Sequence, residues 1–173
     1  IGRSDEQIVA QFASDPSKLS VEELIYGANR LAKDDMTRQR WNEAIAKQYP
    51  SDYRAINNMA QQAIAAGNYD AAQNYLKQAQ KVNKNASAVN TNLAILALKS
   101  GDVKAAETYL AQGSGSDTFK EVMGNLNIAK GNYTQAASDL AAAGTNSTAL
   151  AQILAKDYAS AKNTLNNVKN ADA

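Results

Sequence analysis

One short phrase recurs four times along this chain. It stands as GNYDAAQNYLKQA at 67–79, GDVKAAETYLAQG at 101–113, GNYTQAASDLAAA at 131–143 and KDYASAKNTLNNV at 156–168. A unit that returns every few tens of residues cannot bury its apolar face alone and must stack on its neighbours. That excludes one closed globular core. It points to an array of like units, whose long surface suits binding more than chemistry.

The phrase can be read residue by residue. Gly67, Gly101 and Gly131 each follow a helical stretch, where a left-handed residue ends a helix without a Cβ penalty. Asn68, Asp102, Asn132 and Asp157 come next, and all four are expected to cap the following helix through their side-chain oxygens. Tyr69, Val103, Tyr133 and Tyr158 follow and are expected to pack, as the first residues of helices starting near 69, 103, 133 and 158. Ala72, Ala106, Ala136 and Ala161 come three residues later, then Leu76, Leu110, Leu140 and Leu165 after four more. Spacings of three and four lie on one helical face. The small residue admits a close helix, and the leucine fills the space beside it.

A second helix precedes each glycine. Its apolar side is Ile56, Met59, Ala60, Ala63 and Ile64 before Gly67, and Val89, Leu93, Ala94, Ala97 and Leu98 before Gly101. Before Gly131 it is Phe119, Val122, Met123, Leu126 and Ile128. A small residue stands seven before each glycine, at Ala60, Ala94 and Gly124. Helix pairs joined by a tight Gly-Asn turn resemble the tetratricopeptide repeat. Gly67 and Gly101 are 34 residues apart, that family's usual period, while the later intervals shorten to 30 and 25. The resemblance implies an all-α, right-handed superhelix of stacked antiparallel helix pairs, a TPR-like α-solenoid.

Upstream of residue 52 the pattern loosens. Leu24, Ile25, Gly27, Ala28 and Leu31 predict a helix after Ser20, and Glu22 and Glu23 favour its positive end. Trp41, Ala44, Ile45 and Tyr49 predict a second, ended by Pro50, with Asp34-Asp35 where later units have glycine. This is a degenerate first repeat. Residues 4–13 predict a leading helix whose Ile8, Val9 and Phe12 cover the open end of that repeat, broken by Asp15-Pro16-Ser17. The expected division is a capping helix and linker at 1–19 and a repeat domain at 20–173. Its units are 20–50, 51–84, 85–114, 115–144 and 145–173. Gly113-Ser114-Gly115-Ser116 is the loop between two of them.

Composition removes several functions. With 18 Lys and Arg against 17 Asp and Glu, no global field attracts nucleic acid or an anionic membrane. No apolar run approaches the ~20 residues that span a bilayer, so no membrane insertion is expected. Cysteine and histidine are both absent, which removes thiol nucleophiles, Cys/His zinc sites and the commonest general base. Asp34-Asp35 and Glu22-Glu23 are adjacent pairs, and adjacent helical residues diverge by ~100°. The expectation is no enzyme, no metal and no cofactor. Lys77, Lys81 and Lys84, with Lys99 and Lys104, are expected to be a solvated face. The Asn-X-Ser/Thr sequons at Asn85, Asn132 and Asn146 are expected to be incidental in an Asn-rich chain.

The family resemblance places a partner along the first helix of each pair, on the concave side. The residues there that avoid the core stripe are Arg54, Asn57 and Gln61, Thr91 and Ile95, and Glu121 and Asn125. Asn58 and Asn92 stand at the groove edge, placed either to bond an extended peptide backbone or to bond the neighbouring helix. Family members that grip a C-terminal carboxylate use cations that are missing here. The equivalent places hold Asn57, Gln61, Asn92, Thr118 and Val122, so that specificity does not transfer. The lead-in SDEQIVAQFASDPSKLSVEELIYGANRL also resembles repeat regions of Bacteroidetes cell-envelope proteins. That implies a periplasmic or outer-membrane-associated location, with the cytoplasm left open.

The resulting expectation is a non-catalytic scaffold that binds a protein or extended peptide. The alternatives are a structural spacer of a larger envelope protein and a module for glycan or peptidoglycan-peptide recognition. The apolar last pair also predicts that the native protein continues past residue 173, and that the chain alone self-associates through this edge or frays there.

Overall fold

The computed structural model describes residues 2–113 and 115–168; Ser114 of the Gly-Ser loop and the final stretch 169–173 lie outside the described residues. Every regular element among the described residues is helical. The chain forms two compact units, Ile1–Lys84 and Asn85–Ala173.

The first unit opens with α1 (Asp5–Ser14), capped reciprocally by Ser4 and Gln7. A short 3-10 turn, Pro16–Lys18, replaces the expected break, with Asp15 accepting from the Ser17 N–H. Next comes α2 (Val21–Tyr26), on which Ser20 and Glu23 form a capping box. The helix then widens into a π turn, Gly27–Leu31. The pair is completed by α3 (Asp35–Gln48), capped by Asp34, whose carboxylate takes the Thr37 N–H at 2.7 Å. The second pair is α4 (Tyr53–Ala65) and α5 (Tyr69–Val82).

Large side chains build the core of the first pair. Trp41 is buried and stacks on Phe12 of α1, with ring centroids 3.7 Å apart. The same ring explains Gly27, where an added Cβ would lie 2.2 Å from an indole carbon. Ile8 joins this core, but Val9 stays exposed, against expectation. It lies ~100° round the helix from Ile8, so α1 cannot turn both inward.

The second unit holds three pairs. They are α6 (Ser87–Lys99) with α7 (Val103–Leu110), α8 (Asp117–Lys130) with α9 (Tyr133–Leu140), and α10 (Asn146–Leu154) with α11 (Tyr158–Val168). Ala106, Leu110, Val122 and Leu126 form one cluster; Ala136, Leu140 and Ala151 form another. Close approach is set by small residues. An added Cβ on Gly124 would sit 2.4 Å from Leu140 Cγ.

One turn is built four times. The N–H of Gly67, Gly101, Gly131 and Lys156 bonds the carbonyl three residues back, and the next N–H reaches five back at 2.8 Å. This double bond closes the helix end in the Schellman manner and requires φ near +60° to +80°. The glycines have φ of 77°, 80° and 81°; Lys156 adopts 65° without glycine's freedom.

Asn68, Asp102 and Asp157 cap as expected, accepting from Ala71, Ala105 and Ser160. Asn132 makes no side-chain cap. Its amide instead donates at 3.4 Å to Asn127, whose own amide donates to Asp139 at 2.8 Å. Of the expected packing tyrosines, Tyr69 and Tyr158 are exposed and Tyr133 is half-buried. As first residues of their helices, they have no preceding turn to lie against.

Candidate functional site

In the first unit, α2 and the π turn that follows it are tied to α4 by two polar contacts. Arg54 forms an ion pair with Glu22 and clasps Asp52 through Nε at 3.1 Å and Nη2 at 2.8 Å. The Arg54 hydrogen bond holds the Asp52 carboxyl below its ordinary pKa. Asn29, on the π turn, donates its amide to Asn58 Oδ1 at 2.9 Å. Asn58 is buried, and its Nδ2 has no acceptor among the described residues.

The nine expected contact residues divide by burial. Arg54, Gln61, Glu121 and Asn125 are exposed, and Ile95 is half-buried. Asn57, Asn58, Thr91 and Asn92 are packed in, each under a tenth exposed. Thr91 turns its hydroxyl back to the Ser87 carbonyl at 2.8 Å, a bond that its own helix supplies. These four polar residues therefore belong to helix packing as well as to any partner face.

The structure also forms a groove that the sequence did not indicate. Arg38, Gln39, Asn42 and Glu43 of α3 and Met59 and Gln62 of α4 line an open space of about 730 Å³. Asn42 and Gln62 exchange reciprocal amide bonds across it, one of them 3.0 Å long. Partners twenty residues apart leave no local periodicity, so no sequence signal marked the pair. Lys77, Lys81 and Lys104 are exposed, in keeping with a solvated face.

No cluster of three or more acidic residues able to hold a metal occurs among the described residues. No helix there is long and apolar enough to cross a membrane.

Residues 63–122 match the tetratricopeptide repeat family, from the end of α4 through both glycine turns into α8. Tetratricopeptide repeat sequence is thus present at 63–122. The match spans the phrase copies at Gly67 and Gly101, the two separated by the family's usual period. A search of curated proteins finds no match. Tetratricopeptide repeats generally mediate protein–protein contacts.

Proposed function

We propose that this repeat protein is a non-catalytic interaction scaffold, and that its partner docks as an extended peptide on the first helices of the pairs. The observation that carries this is Asn58. Its carbonyl is occupied by Asn29, while its amide lacks an acceptor, a costly state for a buried donor. A main-chain carbonyl is its natural complement, and Asn29 is exposed, so a peptide that displaces it reaches the pair. Arg54 and Gln61 on the same helix, and Glu121 and Asn125 on α8, supply exposed polar contacts. Nucleic acid is not proposed as a partner, because the charge is balanced.

The weaker resemblance to envelope proteins makes the periplasm or outer membrane the proposed location, with envelope proteins as the first partners to search. A second copy is a further proposed partner, at the last helix pair. The test is capture from envelope extract followed by affinity measurement on the captured partner. Alanine at Asn58, Gln61 or Asn125 is expected to weaken binding more than alanine at Lys77 or Lys81. The reverse ranking moves the site to the second helices. Saturable binding of a muropeptide, with no protein captured, replaces this reading with glycan recognition. Absence of both leaves the spacer reading.

A further inference from the structure

We propose that the groove beside α3 is a second docking site, and that it takes an extended segment of another protein in which a leucine- or methionine-sized side chain stands two residues from a lysine or arginine. The groove has two connected halves. The polar half is the space of about 730 Å³ between α3 and α4. Past Ala46 and Met59 it opens into a smaller hollow of about 160 Å³, which both residues also line. Ile45, Tyr49, Pro50, Ile56 and Tyr75 complete the hollow, so its walls come from α3, α4 and α5 of one unit.

The hollow has a local origin. Ala46 of α3 and Ala55 of α4 put small side chains where larger ones would fill the space. The Tyr49 hydroxyl donates to the Leu19 carbonyl at 3.0 Å, which fixes one wall. A wall fixed beforehand lowers the ordering cost of binding. The hollow is too small for a drug-sized ligand, whose pockets start at about 300 Å³. It suits one aliphatic side chain. A docked helix presents a row of apolar anchors, whereas the rest of this groove is lined chiefly by Arg38, Gln39, Asn42, Glu43 and Gln62. One apolar seat beside a polar run fits extended chain. Asn42 and Gln62 bond one another, yet each amide keeps a second N–H and a second oxygen lone pair for a peptide main chain. The 14 residues of α3 run ~20 Å, room for about six extended residues.

Charge selects the neighbour of the apolar anchor. Arg38 is already engaged: Nη1 bonds Asp35 at 2.7 Å, and Nε donates to the Ala28 carbonyl at 3.3 Å. Glu43 accepts from the Gln39 amide at 3.2 Å, and no cation pairs with it among the described residues. Arg40 and Lys47, on the other flank of Glu43, line a separate space beside Phe12. The groove therefore offers one uncompensated carboxylate, whose complement is a basic side chain. Glu43 precedes Ala46 and Tyr49 by three and six residues of helix, ~5–9 Å along α3. In extended chain, side chains two residues apart share a face and lie ~7 Å from each other. An anchor in the hollow thus brings a lysine or arginine two residues away to Glu43. Arg54, Asn57, Asn58 and Gln61 line neither half, so the proposal is independent of what docks on the first helices.

The test is fluorescence anisotropy of the 173-residue chain with fluorescein-labelled heptapeptides of serine and glycine. One carries leucine at its third position and lysine at its fifth; another has the two exchanged. At least one order is expected to bind saturably. Serine in place of the leucine should weaken it about tenfold or more, because the anchor buries most of the apolar area. Glutamate in place of the lysine should abolish binding, and Glu43→Lys should gain the glutamate peptide while losing the lysine one. Ala46→Phe fills the hollow from an exposed helical position and should abolish binding with the helical circular dichroism unchanged. Should it fail to fold, Gln78→Trp fills the hollow from α5. Asn58→Ala should leave binding intact. Binding of neither order overturns the proposal, as does binding indifferent to the leucine, to Glu43→Lys or to the filled hollow. Binding lost in Asn58→Ala yet kept in Ala46→Phe places the peptide on the first helices and overturns it equally.

Discussion

The first and last helix pairs are the same device with opposite surroundings. At residues 20–50 the apolar face is closed by α1, and Trp41 is buried between Phe12 and the backbone of Gly27. At 145–168 the corresponding hairpin keeps Leu150, Ile153, Leu154 and Leu165 in contact with solvent. The first pair departs furthest from the repeat phrase, with no glycine turn and a π turn in its first helix. It has the larger aromatic core. The last pair keeps the phrase almost intact and is the least covered. Faithfulness to a repeat motif therefore measures local geometry. Burial is set by what lies next to the unit.

The sharpest way to break this comparison is to empty the two hairpins in turn. Trp41→Ala should cost about 3–5 kcal/mol, since a buried aromatic leaves a cavity. Leu165→Ala, measured at concentrations where the chain is monomeric, should cost under about 1 kcal/mol, because its side chain is already half in water. Urea melts followed by circular dichroism measure both. Equal losses would mean that the last pair is covered as well as the first.

Overpacking is the next largest effect. Gly124→Ala pushes a methyl into Leu140, and Ala72→Leu and Ala106→Leu do the same at sites with 0% exposure. Each should destabilise by about 1–3 kcal/mol. The same change at Gly2, which has open space around it, should be neutral. A neutral Gly124→Ala in the same melts would show that α8 and α9 leave room for a methyl group at this contact.

A smaller change sharpens the comparison in the favourable direction. Lys156 holds the left-handed place that glycine holds in the earlier turns. Lys156→Gly should raise stability by ~1 kcal/mol, by removing the Cβ clash of that conformation. An Asn132→Asp substitution on the neighbouring pair supplies a capping carboxylate, and slower amide exchange at the start of α9 would report it. No gain from Lys156→Gly would mean that this turn opens in solution.

The smallest expected effect is a difference in acid sensitivity. Hydrogen bonds to Ser17 and Thr37 hold Asp15 and Asp34 below the ordinary carboxylate pKa. Backbone hydrogen bonds at the start of α2 do so for Glu22 and Glu23, and Arg54 does so for Asp52. All five lie in the first unit; in the second, Asp157 is held down by Ser160. A depressed carboxylate stabilises the fold at pH above its unfolded value, near 4. That contribution is lost as pH falls through the lower folded value. Acidification below pH ~4 should therefore weaken the first unit more than the second. Trp41 is the only tryptophan and lies in the first unit, so its fluorescence melt can be set against the dichroism of the whole chain. A Trp41 transition that does not move on acidification sinks this prediction.

The helix starts at 69, 103, 133 and 158, the glycine turns and the buried alanine–leucine face were legible from the sequence. Each depends on neighbours within one or two turns: a residue free to take positive φ, a side-chain oxygen beside free N–H groups, a period of three and four. The candidate site was legible only in part. Periodicity placed Asn57 and Thr91 off the core stripe and Asn58 and Asn92 at the groove edge, yet all four are buried, because helices from other parts of the chain decide how wide the buried face becomes. The same is true of the bond from Asn132 to Asn127, the outward turn of Val9, the Asn42–Gln62 pair and the exposed Leu165. Sequence alone determined the helices and turns, whose energies are local. Tertiary structure alone decided which polar groups are spent on packing and which apolar face remains open, because both depend on contacts between residues that the chain order does not bring together.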